Sequence, residues 1–237
     1  MLILVINSGS ATLKLDVMEV APAGSGPRRL AQGRFEQLGC AASFHLSASA
    51  GRTLNETRDV PDPAAALRLF LDWWRDGQSA APAIAAVGHR VVHGGPKFSV
   101  PTLLTPEALA ELESLNVLAP LHNPPAMAGI RAARAILGAD TPMVAVFDTA
   151  FHRTLPEHAA TYALPRELVE RHDIRRYGFH GLAHESMLRR YSELSGVPAA
   201  QASVITLQLG GGCSVTAIRE GCSVDTSMGF TPLEGLM

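Results

Sequence analysis

One local pattern, an apolar strand that enters a polar, glycine-containing turn and leaves it as an alternating strand, occurs twice in this chain. The first copy is LVINSGSATLKLDV, residues 4–17, and the second is ITLQLGGGCSVTAIRE, residues 205–220. In each copy an amide side chain, that of Asn7 or Gln208, precedes a glycine by two residues. A repeated unit of this kind predicts two similar domains that face a cleft, each offering one turn to it.

Both turns have the composition of a phosphate-binding site. Their small side chains let an anion approach the backbone, where successive N–H groups form a concave anion site. In the first turn Asn7, Ser10 and Thr12 add neutral donors, and Lys14 adds a positive charge. A plain hairpin is the alternative, because Asn, Ser and Gly are common turn formers. The sequence contains no G-x-x-x-x-G-K-[ST] pattern, which argues against the strand–loop–helix nucleotide fold.

Strands and helices alternate along the chain. Apolar runs and two-residue alternation predict strands at residues 2–6, 13–20, 44–49, 83–92, 142–147 and 203–209. Helical periodicity predicts helices at residues 63–75, 106–115, 125–137 and 182–194. Thr105 is the predicted N-cap of the second helix, and proline and glycine predict a loop over residues 21–29. The order predicts an α/β fold with a mixed sheet.

The composition is that of an ordinary globular protein, with 47% hydrophobic and 18% charged residues among 237 and a formal net charge of −2. Mixed charges give no basic surface for nucleic acid or for an anionic membrane. The three cysteines form neither a paired framework nor a CxxC spacing, which favours a reducing compartment. The sequence has no signal-peptide pattern and no apolar run of bilayer length. We therefore expect a cytoplasmic protein.

Three polar residues stand out against apolar or glycine-rich surroundings. Arg90 ends a strand of alanine and valine, where an unpaired charge is costly, so it needs an anion such as a carboxylate. Asp148 follows the apolar run PMVAVF and is suited to hold Mg²⁺ or to orient a nucleophile. His180 lies in the glycine-flanked segment RRYGFHG. The alternatives are an internal salt bridge for Arg90, a helix N-cap for Asp148 and a structural role for His180.

Six segments resemble the acetate kinase family, within the superfamily of acetate and sugar kinases, heat-shock chaperone ATPases and actin. They are LVINSGSATLK, VGHRVVHGG, APLHNPPA, VFDTAFH, RRYGFHG and SVDTSMGFTPLEGLM, in the family's order. The resemblance implies an α/β, actin-like ATPase fold with ribonuclease H-like duplicated domains of mixed sheets and flanking helices. It implies an N-terminal kinase domain at residues 1–150 and the first, incomplete part of a C-terminal kinase domain at residues 151–237.

The resemblance also implies a reaction, the reversible transfer of the γ-phosphoryl group of ATP to acetate, giving acetyl phosphate and ADP. Such a protein is a phosphotransferase with a carboxyl group as acceptor, uses Mg²⁺ or Mn²⁺, and forms a homodimer without nucleic-acid or membrane partners. Propionate is an expected second substrate, because one methylene changes binding by only about 1–3 kcal/mol. The alternatives are a propionate or butyrate kinase and a non-catalytic phosphate- or nucleotide-binding fragment.

The family motifs imply roles for individual residues of this sequence. The implied catalytic residues are Arg90, Asp148 and His180. The implied substrate-binding residues are Arg90, Val92, Leu121, His122, Phe179 and Pro232. The implied ligands of ATP and its phosphates are Asn7, Ser10, Thr12, Lys14, Gln208, Gly210, Gly211 and Gly212. The residues implied to lie at the metal are Asn7 and Asp148.

The second turn departs from the family pattern. Gln208 stands where a histidine is usual, and Gly211 where an asparagine is usual. Glutamine can donate to a phosphate but cannot carry the positive charge of histidine. We therefore expect a changed phosphate affinity or pH dependence.

The final motif, TPLEGLM, continues in the family to a second active-site arginine and, beyond it, to the adenosine pocket. Neither lies within these 237 residues. The expectation from the sequence is that the chain ending at Met237 is inactive on its own.

Overall fold

The computed structural model describes residues 1–21, 26–77 and 83–235. These residues divide into two compact units. Unit 1 comprises the described parts of residues 1–91, 102–116 and 120–145, and unit 2 those of residues 92–101, 117–119 and 146–237. The assignment of residues 1–150 and 151–237 to two kinase domains stays a prediction.

The secondary structure of the described residues is mixed. The strands are β1 (Leu2–Ser8), β2 (Thr12–Glu19), β3 (Arg28–Glu36), β4 (Ala41–Ala48), β5 (Thr53–Asp59), β6 (Ala86–Val91), β7 (Thr102–Leu103), β8 (Met143–Phe147), β9 (Val204–Leu209), β10 (Cys213–Arg219) and β11 (Cys222–Thr226). The α-helices are α1 (Pro63–Asp76), α2 (Pro106–Ser114), α3 (Asn123–Leu137), α4 (Glu157–Ala160), α5 (Arg166–His172) and α6 (Gly181–Ser195). Short 3-10 helices are Leu115–Val117, Ala150–Thr154 and Ala199–Gln201. Among the described helices, none is both long and apolar enough to cross a bilayer.

The predicted strands and helices are confirmed, with ends that differ by at most three residues. The predicted cap of α2 is also confirmed, because the Thr105 hydroxyl accepts a hydrogen bond from the Ala108 N–H at 3.2 Å. The predicted loop over residues 21–29 is wrong at its end, where Arg28 and Arg29 begin β3 and pair with β2. Residues 22–25 of that loop lie outside the described residues.

The larger sheet has the strand order β5-β4-β3-β2-β1-β6-β8-β7. Strands β1 to β5 form an antiparallel meander, and β6 is parallel to β1. One face is apolar, with Leu4, Leu15 and Phe35 at or near zero exposure. A Cβ atom added to Gly33 would lie 2.8 Å from Phe70 Cδ2, so this glycine lets α1 pack closely on β3. The mixed α/β fold predicted from the sequence is therefore confirmed.

Unit 2 contains an antiparallel sheet of order β11-β10-β9. Leu188 of α6 packs with Ala202 and Ile218 in a small apolar cluster. Along β10, however, Ser214 and Thr216 are fully buried. Buried hydroxyls need hydrogen-bond partners, so this face of the sheet is built for polar contacts as well as for packing.

Candidate active site

The first polar turn is the β1–β2 hairpin of unit 1. Asn7 pairs with Lys14 across the two strands, and the Gly9 N–H donates to the Thr12 carbonyl oxygen at 2.8 Å. Ser10, Thr12 and Lys14 are exposed at or beside the turn. The hairpin expected from its turn formers is therefore present, and its side chains are accessible to a phosphate.

Arg90 lies beside this hairpin. Strand β6 runs parallel to β1 with Arg90 opposite Asn7, and Arg90 Nη1 donates to Asn7 Oδ1 at 3.2 Å. The three neighbouring strands therefore carry Arg90, Asn7 and Lys14 in one row. Two cations that flank an amide form a local positive region suited to an anion, although the chain as a whole has a charge of −2.

The second polar turn is the β9–β10 hairpin of unit 2. Gln208 pairs with Ser214, and exposed glycines at residues 210–212 connect the strands. A Cβ atom added to Gly212 would lie 3.3 Å from His180 Cε1 and 3.5 Å from His180 Nε2. The structure thus brings two predicted parts of the site together, because the His180 ring lies against the backbone of the glycine turn.

The segment around His180 has a constrained backbone. Gly178 has φ +71, and a Cβ atom there would lie 2.6 Å from His152 Cγ. His180 itself adopts the left-handed conformation, with φ 58 and ψ 20, and precedes the first residue of α6. Non-glycine residues in this conformation carry strain and cluster at functional sites.

Asp148 follows the last residue of β8 and is 1% exposed. It is not the N-cap of the 3-10 helix that follows, because Thr149 occupies that position. The Thr149 hydroxyl accepts from the Gly94 N–H at 3.1 Å, which ties the VVHGG segment to this strand end. The N-cap alternative for Asp148 is therefore wrong.

The donor chemistry of Asp148 suits Mg²⁺. Within the described ranges, no group of three or more His, Cys, Asp or Glu side chains is arranged to hold a metal. Mg²⁺ usually binds one or two protein carboxylates and completes its shell with water and substrate phosphate oxygens. A single buried carboxylate at a strand end fits that pattern. Asn7, the other predicted ligand, belongs to unit 1, and its place at the metal stays a prediction.

The predicted residues of the apolar substrate pocket lie in both units. In unit 2, Phe179 is buried, its ring lies 5.6 Å from that of His93, and Val92 and Pro232 are half-buried. In unit 1, Leu121 and His122 are exposed in the turn before α3. A pocket made by these residues stays a prediction.

Two buried histidines close to His180, His152 and His184, received no role in the site from the sequence. His152 pairs its Nδ1 with the Ser223 hydroxyl and its Nε2 with the Phe179 carbonyl oxygen, both at 2.9 Å. Burial lowers the pKa of His152 to about 4, so its ring is neutral at physiological pH. Because a carbonyl oxygen only accepts, His152 donates from Nε2 and thereby holds the backbone of Phe179.

His184 is the second of these histidines. Its Nδ1 lies 2.7 Å from the Thr206 hydroxyl, and its Nε2 lies 2.9 Å from the Ser214 hydroxyl. Ser214 in turn lies 2.9 Å from Nδ1 of His180. Burial, with the nearby His152 and His180, lowers the pKa of His184 to about 4. The spacing of His180 and His184, one helical turn apart, was the only sequence signal for this cluster.

The fold and the two polar hairpins define a class, the actin-like ATPase fold of small-molecule kinases. The sequence model of the acetokinase family matches residues 2–237. The chain belongs to the acetokinase family.

Individual relatives agree with this assignment. The chain is 45% identical to the acetate kinase of Solibacter usitatus, covering 99% of this chain and 59% of that protein. It is 48% identical to the acetate kinase of Pseudarthrobacter chlorophenolicus, covering 100% of this chain and 58% of that protein. The chain thus spans less than two thirds of the length of these relatives.

Solved structures give the same result. The chain superposes on the crystal structure of Porphyromonas gingivalis acetate kinase with a TM-score of 0.88 and 39% identity, covering 100% of this chain and 59% of that one. It superposes on a propionate kinase from Francisella tularensis with a TM-score of 0.89 and 37% identity, covering 99% and 59%. The actin-like fold implied by the sequence motifs is therefore confirmed.

Proposed function

We propose that the protein is an acetate kinase, which transfers the γ-phosphoryl group of ATP to acetate and catalyses the reverse reaction. The observation that carries this proposal lies in unit 2. There the imidazole of His180 lies against the Gly212 backbone, and the Gly181 N–H donates to the Asp148 carbonyl oxygen at 2.8 Å. A glycine turn, an imidazole that lies against it and a strand end that carries a buried aspartate lie close together, and this arrangement supports phosphoryl transfer.

In the proposed reaction, an acetate oxygen attacks the γ-phosphorus of ATP. The bond from this phosphorus to the oxygen that bridges to the β-phosphate breaks, and ADP leaves. A carboxylate is already a competent nucleophile, so the protein's task is to align the reactants and to stabilise the charge on the transferred group.

Each proposed residue serves one of these tasks. Arg90 binds the acetate carboxylate, and its guanidinium stabilises the group in transfer. His180 donates from its ring to a phosphoryl oxygen, and the N–H groups of both turns bind phosphates. Asp148 and Asn7 are the proposed ligands of Mg²⁺, or Mn²⁺, which when bound neutralises phosphate charge.

A small apolar pocket of Val92, Leu121, Phe179 and Pro232 is proposed to hold the methyl group of acetate. Such a pocket discriminates only weakly against an acid that is longer by one methylene, so propionate is proposed as a second substrate. A propionate kinase is the second candidate function, supported by the similarity to the Francisella tularensis protein. The family resemblance further supports ATP and ADP as co-substrates and a cytoplasmic homodimer.

The reaction is tested with the whole protein, which here means the protein expressed with every residue that its gene encodes, including any after Met237. It is incubated with ATP, Mg²⁺ and acetate, and acetyl phosphate is trapped as its hydroxamate. We expect ATP-dependent product and a loss of at least about 100-fold in Asp148→Asn. The exposed Asp173 provides the matched control, and Asp173→Asn should retain full activity. Absence of product with both acetate and propionate would refute the proposal. Phosphate-dependent thermal stabilisation without turnover would instead support the non-catalytic alternative.

A further inference from the structure

A continuous row of hydrogen bonds connects the interior of unit 2 to the ring of His180. Thr206 Oγ1 lies 2.7 Å from His184 Nδ1, His184 Nε2 lies 2.9 Å from Ser214 Oγ, and Ser214 Oγ lies 2.9 Å from His180 Nδ1. His184 and Ser214 are both 0% exposed. The proposed reaction uses only His180, so the other three side chains require an explanation.

The number of available hydrogens limits how this row can be arranged. A hydroxyl donates one hydrogen, and a neutral imidazole donates from one nitrogen and accepts at the other. His184 is neutral because burial lowers its pKa to about 4. Ser214 therefore donates to only one of its two histidine neighbours and accepts from the other.

Thr206 decides the direction. Among the described residues, its hydroxyl forms one hydrogen bond, to His184. If His184 donated to Thr206, the hydroxyl hydrogen of this buried threonine would have no acceptor, which is unfavourable. If Thr206 donates instead, His184 donates from Nε2 to Ser214, and Ser214 donates to Nδ1 of His180. The side-chain hydrogens of Thr206, His184 and Ser214 in this row then all have an acceptor.

We propose that Ser214, supported by His184 and Thr206, is a positioning residue that donates to Nδ1 of His180 and holds the neutral ring with its hydrogen on Nε2. Nε2 is the ring nitrogen that lies against the Gly212 turn. His180 can then donate to a phosphoryl oxygen without a positive charge. The hydrogen-bond assignment rests on the geometry of the row and on a neutral His184, and its catalytic meaning rests on the proposed kinase function.

The opposite arrangement has a distinct chemical consequence. His180 would carry its hydrogen on Nδ1, and Nε2 would present a lone pair to the glycine turn. A lone pair repels a phosphate oxygen, so His180 would then have to gain a proton before it could assist transfer. The two arrangements are distinguishable by the state of the ring nitrogens.

The first test is ¹⁵N NMR of the histidine rings in the 237-residue chain, at a pH where His180 is neutral. We expect a protonated Nε2 and a hydrogen-bonded acceptor at Nδ1. In Ser214→Ala the Nδ1 resonance should move to the position of an acceptor without a hydrogen bond, and Ser214→Thr should restore it. A hydrogen on Nδ1 of the unsubstituted chain would overturn the proposal, and this measurement needs no variant to fold.

Thr216 offers a matched control for the NMR test. It lies two residues from Ser214 on the same buried face of β10, and its hydroxyl pairs with that of Thr226 at 2.9 Å. Thr216→Val removes a buried hydroxyl without removing the bond to His180, so the His180 resonances should stay in place. Equal shifts in Thr216→Val and Ser214→Ala would indicate a general packing effect and would overturn the specific role of Ser214.

The second test separates kcat from KM in the whole protein. Because Ser214 orients a group used in the transition state, Ser214→Ala should lower kcat at least about tenfold and leave the KM for acetate unchanged. Thr216→Val should retain kcat. An unchanged kcat in Ser214→Ala would overturn the positioning role. If the unsubstituted protein has no kinase activity, the proposed function fails, and the NMR test still decides the hydrogen-bond assignment.

Discussion

The backbone of Gly181 is in direct contact with that of Asp148, since its N–H donates to the Asp148 carbonyl oxygen at 2.8 Å. The first residue of α6 therefore rests on the end of β8. This contact keeps His180, which immediately precedes α6, beside the strand end that carries the buried carboxylate. The position of the imidazole is thus set by backbone contacts as well as by its own hydrogen bond.

Gly181→Ala should disturb this contact. The added Cβ atom would lie 2.2 Å from the Asp148 carbonyl oxygen and 2.9 Å from Phe151 Cβ. Although alanine is the better helix former, we expect the free energy of unfolding to fall by about 1–3 kcal/mol in urea denaturation. Gly88→Ala is the control, because a Cβ atom there meets no atom within 4 Å. Equal stability of the two variants would contradict the close approach.

The stability of the chain should fall as the pH is lowered from 6.5 to 4. Burial lowers the pKa of His152 from 6.5 to about 4, so in this range the unfolded state binds a proton that the folded state does not. At pH 4 this one group costs about 3 kcal/mol of stability relative to neutral pH. In His152→Gln, the slope of unfolding free energy against pH should decrease by about 1.4 kcal/mol per pH unit within that window.

The exposed His172 is the control for the pH experiment, because burial is the cause of the effect. His172→Gln should leave the slope as it is in the unsubstituted chain. If His152→Gln and the unsubstituted chain have the same slope between pH 4 and 6.5, His152 is not protected from protonation in the folded state.

Asn7→Asp should weaken phosphate binding through Arg90. The new carboxylate would stand where Asn7 Oδ1 now accepts from Arg90 at 3.2 Å, and its negative charge would oppose that of an incoming anion. We expect the affinity for inorganic phosphate to fall roughly tenfold in metal-free buffer, measured by calorimetry. Metal-free conditions matter because an added carboxylate at residue 7 would also attract Mg²⁺.

Gln32→Glu is the matched control for Asn7→Asp. It places the same charge beside another arginine of the sheet, since Arg29 Nη1 donates to Gln32 Oε1 at 3.0 Å. Gln32 lies on β3, away from the polar turn. A comparable loss of phosphate affinity in both variants would show that net charge, and not the Arg90 contact, controls binding.

Gln208→His should make phosphate binding depend on pH. A histidine at this position gains a positive charge below its ordinary pKa of about 6.5, whereas glutamine offers only a neutral donor. A charged donor strengthens a hydrogen bond by roughly 1 kcal/mol, so we expect roughly fivefold tighter phosphate binding at pH 5.5 than at pH 8 in this variant. Gln201→His, in the exposed 3-10 helix, should behave like the unsubstituted chain. Identical pH profiles for all three proteins would place residue 208 out of reach of the ligand.

Much of the fold could be predicted from the sequence because its elements follow hydrophobic periodicity. The hairpin around Asn7 and the helix behind Thr105 both carry local signals, a turn composition and a cap. Strand β5, with the sequence TLNETRD, has no such signal, since nearly all of its residues are exposed. Its conformation depends on the ladder it forms with β4, which is a non-local interaction.

The sequence predicts the local motifs of the candidate site but not the hydrogen bonds that connect distant residues. Glycine-rich turns and isolated polar residues such as Arg90 are visible in a sequence. The position of Asn7 two residues before a glycine of the first turn is visible too. The contact between His180 and Ser214 joins residues 34 positions apart, and their neighbour His184 is marked in the sequence only by its spacing from His180. A network of this kind depends on how β10 packs against α6, which periodicity does not specify.

The left-handed backbone of His180 has an evolutionary consequence. With φ 58 and ψ 20, this position favours glycine, so His180→Gly would relieve strain of about 1 kcal/mol or more while it removes the imidazole. Selection for stability and selection for activity therefore act in opposite directions on this residue. A histidine at a position that favours glycine therefore points to a use for its side chain.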